Sequence, residues 1–129
     1  MEVLLTVHSA IRWTVIVIGV LAIVKFAIGW AGNANFKGMD RGLASGFSGL
    51  LDAQALFGIV YLIWNGAAGT GFPAYRITHA LIMFVAIVLA HVPARLKSLN
   101  DKLRFQYSLL AILGSLVLIF ISLMWLARG

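Results

Sequence analysis

His8, Arg12, Arg76 and His79 interrupt or border long apolar runs, where an ionisable side chain needs a partner, a cavity or a route to water. Arg12 follows His8 by four residues, about 40° around a helix, and Arg76 precedes His79 by three, about 60° around. Each histidine therefore shares a helix face with one arginine. One imidazole from each of two helices is the axial ligand set of an iron porphyrin with both open faces taken. A guanidinium near each ligand suits a porphyrin propionate, which accepts paired hydrogen bonds. Arg76 lies toward water relative to His79, whereas Arg12 lies roughly 6 Å deeper than His8. The spacing predicts His8 and His79 as metal ligands in a b-type haem site, with Arg12 and Arg76 as cofactor-binding partners.

A second polar layer holds Lys25, Asp52, Gln54 and His91. His91 is twelve residues beyond His79, about 18 Å along a helix and 120° around it. That separation makes His91 a further cofactor-binding candidate and leaves room for a second haem. The first apolar run offers no second histidine to face it. The reading we favour has Asp52 accepting a hydrogen bond from His91 or pairing with Lys25, or the group handling protons.

These side chains must be positioned by helices in lipid. Of 129 residues, 62% are hydrophobic and 11% charged, against about a quarter charged in an ordinary soluble domain. Four stretches reach the roughly 20 apolar residues that a bilayer core requires. They run over about 3–30, 47–64, 75–92 and 105–127, with no two-residue alternation to suggest a barrel. The intervening segments are turn-rich: Gly32 to Gly46, Asn65 to Pro73, and the polar Arg95 to Arg104 after Pro93. Short connections predict an all-α, integral membrane, up-down-up-down four-helix bundle forming one domain. The first and third spans then run the same way, which brings His8 and His79 to similar depth.

Charge orients the bundle. The net charge of +6 is read as topology rather than as affinity for nucleic acid. Lys25, Lys37, Arg41, Arg95, Lys97, Lys102 and Arg104 fall on one side; Arg12, Arg76 and Arg128 fall on the other. Positive residues stay in the cytoplasm, so both termini are expected outside. Trp30, Trp64, Tyr75 and Trp125 sit near span ends as interfacial anchors. Glu2 stands where a basic n-region would begin, so no cleavable signal is expected. The absence of cysteine excludes disulfides, thiolate metal sites and a covalently attached c-type haem.

Plainer roles compete for several residues. Lys25 can snorkel to cytoplasmic headgroups, and Arg76 can anchor a helix end. Met83 reads as core packing and Tyr61 as an aromatic-belt residue. Gly42-x-x-x-Gly46 falls in a loop and the start of a helix, a weak packing motif. Ala111, Gly114 and Ser115 make a small face for a helix neighbour or a dimer partner.

The run Leu5-Thr6-Val7-His8-Ser9-Ala10-Ile11-Arg12-Trp13 resembles the H-S-x-[LI]-R-W opening of small bacterial four-helix membrane proteins described as cytochrome b-like. Gly29-Trp30, Gln54-Ala55-Leu56-Phe57-Gly58 and His79-Ala80-Leu81-Ile82-Met83 extend the similarity over most of the chain. The resemblance implies haem b within the bundle, ligand roles for His8 and His79, and a bacterial inner-membrane location. Asp52 stands where that family often has a histidine and Thr78 where it has a glutamate, so the number of haems stays open. The expected function is electron transfer, with a quinol or a redox protein as partner and a homodimer compatible with so small a bundle. A carrier is favoured over a catalyst, because two imidazoles leave iron no open position. The alternatives are a non-haem accessory subunit or small proton-coupled transporter using Asp52 and His91, and, as the poorest fit, a transition-metal site built from histidines alone.

Overall fold

The computed structural model describes residues 2–128, the side chains of residues 2, 70 and 125–128 excepted. The readings of Trp125 and Arg128 lie outside the described residues. Among the described residues there are four α-helices, α1 (Glu2–Ala31), α2 (Gly38–Asn65), α3 (Ala74–Ala90) and α4 (Asp101–Arg128), with a π-helical turn at Gly66–Thr70 and a 3₁₀ turn at Val92–Arg95. All four include stretches long and apolar enough to cross a membrane, and no strand occurs among the described residues.

The helix bounds correct the sequence reading at two places. α2 starts at Gly38, nine residues before the expected 47, so most of the segment read as a loop is helix. Ala44, Phe47, Leu51 and Gln54 recur every three or four residues along α2 and are buried; this stripe gives its first turns a core to pack on. Asp40 holds the helix start. Its carboxylate accepts the Lys37 backbone N–H at 2.9 Å and the Lys25 ammonium at 2.9 Å. Lys25 is therefore bound to a carboxylate that is 1% exposed, rather than only reaching for headgroups or pairing with Asp52. Gly42 and Gly46 lie on α2, with nothing within 4 Å of where their Cβ atoms would be. At the other correction, α4 begins at Asp101 instead of 105, because the Asn100 side chain accepts the Leu103 N–H at 2.9 Å.

The helices form a ring in which α1 packs on α2 and α4, and α3 on α4 and α2. Residue pairs show the α1–α2 seam to be antiparallel, Lys25 with Asp40 and His8 with Gln54, and likewise the α3–α4 seam, Ser115 with Ala86 and Ser122 with His79. A Cβ on Gly19 would stand 2.8 Å from the Phe47 ring and 2.9 Å from Leu116, so α1 lies against both neighbours there. The Ser115 hydroxyl donates to the Ala86 carbonyl at 2.6 Å. With Ala111 also buried, the small face of α4 is used against α3 within the chain. At the end bearing Lys25, the rings of Phe26, Phe36 and Phe105 meet with centroids 5.0–6.1 Å apart. The guanidinium of Arg104 lies 4.1 Å over Phe36. The seam between α2 and α3 is the loosest of the four.

Candidate cofactor cavity

Because α1 and α3 are diagonal in the ring, space between them is closed only by what α2 and α4 contribute. A cavity of about 510 Å³ occupies it, within the usual range for small-molecule sites of roughly 300–1,000 Å³. His8, Arg12, Arg76 and His79 all line it, together with Gln54, Tyr61 and Tyr75. The remaining wall is mainly aliphatic, with Met83 and Phe84 from α3.

Each histidine is held by a neighbouring helix through its Nδ1. His8 Nδ1 meets the Gln54 amide nitrogen at 3.1 Å, and His79 Nδ1 meets the Ser122 hydroxyl. Half a turn of the Gln54 amide exchanges Nε2 for Oε1, an atom buried without a partner. His8 then donates from Nδ1 and carries its lone pair on Nε2. Holding one imidazole nitrogen to orient the other is the outer-shell arrangement that metal-bound histidines use. Gly58 of α2 makes room for the free edge, since a Cβ there would lie 3.2 Å from His8 Nε2. Contacts along α2 also relate the two levels. His8 lies beside Gln54 and Gly58, Arg76 lies over Tyr61 about one turn farther along, and His79 is three residues back from Arg76, near the level of His8.

The arginines carry positive charge that no described carboxylate neutralises. Arg12 donates from Nη2 to Ser9 Oγ at 3.1 Å, yet its Nε is buried without a partner. Arg76 lies 5.5 Å from the Tyr61 ring and 5.8 Å from the Tyr75 ring, with Nη1 likewise buried and unpaired. Neither forms an ion pair among the described residues. A buried donor without an acceptor costs on the order of 1–3 kcal/mol. An anion at the cavity wall would remove that cost.

His91 is not brought to this cavity. Its Nε2 lies 2.9 Å from Asp52 Oδ1, and the two side chains are 46% and 49% exposed. No family, no curated protein and no solved structure matches the chain.

Sequence reading missed Ser122, placed Gln54 in the layer of Asp52 and His91 although it meets His8, and left Tyr61 outside the site. Gln54 and Ser122 emerge only once helix register is known, although Ser108, Ser115 and Ser122 recur every seven residues and are all buried. Tyr61, read as a belt residue, lines the cavity and accepts a hydrogen bond from Asn65 at 2.9 Å. Among the described residues no group of three or more His, Cys, Asp or Glu could hold a bare metal ion. A metal at His8 and His79 would need most of its ligands from elsewhere.

Proposed function

We propose that this chain is an integral membrane protein that binds one b-type haem between His8 and His79 and carries electrons. The observation behind this reading is one apolar cavity lined by two imidazoles, each held at Nδ1 by a neighbouring helix. The donor set fits the group. His8 and His79 would hold the iron of a porphyrin, and the unpaired Arg12 and Arg76 atoms would suit its propionates. Bound there, the group supplies one-electron redox chemistry.

The chain's own residues orient, neutralise and exclude water. Gln54 and Ser122 set which imidazole nitrogen faces the cavity. Arg12 and Arg76 balance carboxylate charge, while Leu51, Met83 and Ile119 keep the interior apolar. Two ligating imidazoles favour a carrier over an oxygen-activating catalyst, with a quinol or a redox protein as the exchange partner. The basic residues around Lys25, Lys37, Arg41 and the Arg95–Arg104 segment favour termini outside a bacterial plasma membrane, in an up-down-up-down bundle. A homodimer remains compatible with this reading, without the small face of α4 as its seam.

Proton-coupled transport draws on the bonded Asp52–His91 pair, but neither residue lines the cavity. Purification from haem-supplemented cells tests the haem reading. The native protein should show a Soret band that His8→Ala and His79→Ala each diminish. A native protein without the band, or two variants that retain it unchanged, would overturn the reading.

A further inference from the structure

Of the described residues that line the cavity, only Leu5, Ile59 and Phe84 are exposed. Leu5 precedes His8 by three residues, at the end of the bundle that holds Arg76. The other two border one seam. Ile59 follows Asp52 by seven residues on α2, and Phe84 precedes His91 by seven on α3; seven residues return a helix to nearly the same face. Asp52 Oδ1 and His91 Nε2 meet at 2.9 Å across the α2–α3 seam, so Ile59 and Phe84 stand along its edge. With 53% and 65% of their surface accessible while they also line the cavity, the cavity reaches the outside of the bundle there.

This seam, the loosest of the four, is tied at two levels. At one, the Asp52–His91 pair joins the helices one turn beyond Ile87, the last α3 residue of the cavity wall. At the other, the Arg76 guanidinium lies 5.5 Å over the Tyr61 ring, and Asn65 braces the Tyr61 hydroxyl. Asp52 and Tyr61 are about 13 Å apart along α2. Between these ties the cavity wall on the seam is made of short residues, Ala55 and Gly58 from α2 and Ala80 from α3. They cannot close the gap that the ties leave between the helices. The pair itself is half exposed on a lipid-facing edge, where ionisable groups are costly. Fixing the rim of an opening gives it a use.

We infer that the cavity is filled sideways, through a slot between α2 and α3 with Ile59 and Phe84 as its lips. Both helices are long and apolar enough to span a membrane, so in a bilayer the slot opens on acyl chains. The occupant is then a molecule that partitions into lipid before it binds, as an amphiphilic porphyrin does, rather than a solute entering from water past Leu5. The choice of porphyrin rests on the function proposed above; the route does not.

The chain has no cysteine, so single labels can be placed cleanly. A nitroxide on Met83→Cys, on the cavity wall, is measured in full-length protein in phosphatidylcholine nanodiscs. Oxygen, which concentrates among acyl chains, should relax it several-fold more than a water-soluble nickel chelate does. A nitroxide relaxed mainly by the chelate, or by neither, would overturn the slot. In a second arm, Ile59→Cys and Phe84→Cys are bridged by a reducible bifunctional thiol reagent, and haemin is supplied from liposomes. Bridging should slow haemin uptake about tenfold or more, with recovery on reduction, whereas a bulky label on Leu5→Cys should leave the rate unchanged. Native uptake by the bridged protein, or uptake stopped only by the Leu5 label, would overturn the slot and leave the haem reading standing. Unmodified protein that takes up no haemin would remove the haem reading, and the nitroxide result then decides the slot by itself.

Discussion

Two imidazoles become useful ligands only if their rings are held, and here each is held by one uncharged side chain. Gln54→Ala removes the contact to His8 Nδ1, and Ser122→Ala removes the contact to His79 Nδ1. Outer-shell partners of ligating histidines are typically worth about 10–100-fold in metal affinity. Haem titration of each variant in detergent should show a loss of that order with the fold intact; equal affinity would show that the rings are positioned otherwise. Gly58→Ala puts a methyl group 3.2 Å from His8 Nε2. It should shift the ring and lower haem occupancy without altering helicity measured by circular dichroism. His8, Arg12, Arg76 and His79 were legible from spacing alone, because three- and four-residue intervals place them on shared helix faces. Gln54 and Ser122 were not, because their roles depend on which turn of one helix meets which turn of another.

Among the elements, α2 was read worst, and the reason is local. Glycine and asparagine around its start signal a turn, while the features that override the signal are remote in sequence. Lys25 lies fifteen residues from Asp40 and on a different helix. Phe47 finds its place only against α1. Lys25→Met leaves the 1% exposed Asp40 carboxylate with only the Lys37 N–H. Breaking a fully buried pair on one side costs about 3–5 kcal/mol; with Lys25 35% exposed the loss should be smaller, about 1–3 kcal/mol, and the variant should unfold at lower SDS fraction in mixed micelles. Gly19→Ala should cost about 1–3 kcal/mol by the same measurement, since overpacking moves α1 off Phe47 and Leu116. Equal midpoints for either variant would show that α1 has room to shift. The long apolar spans, by contrast, were visible from composition, because lipid imposes a length that few other environments demand.

At the scale of the whole molecule, diagonal placement of α1 and α3 is what turns four helices into a container. Two histidines on adjacent, tightly packed helices would have met each other and enclosed nothing. Here α2 and α4 keep their carriers apart, and at the level of His8 and His79 the interior holds a cavity, while toward Lys25 it is a filled core around Phe26, Phe47 and Phe105. The sequence showed four spans and two like-directed histidines, but not that the bundle would leave this volume open; volume depends on how side chains from all four helices fill the centre. In the reading proposed above, that volume accommodates a redox-active b-type haem. A reduced-minus-oxidised absorption spectrum of the protein purified from haem-supplemented cells tests it most directly. Sharp b-type difference bands are expected, with haem near one per chain; a flat difference spectrum from folded, haem-supplemented protein would leave the cavity without that cofactor.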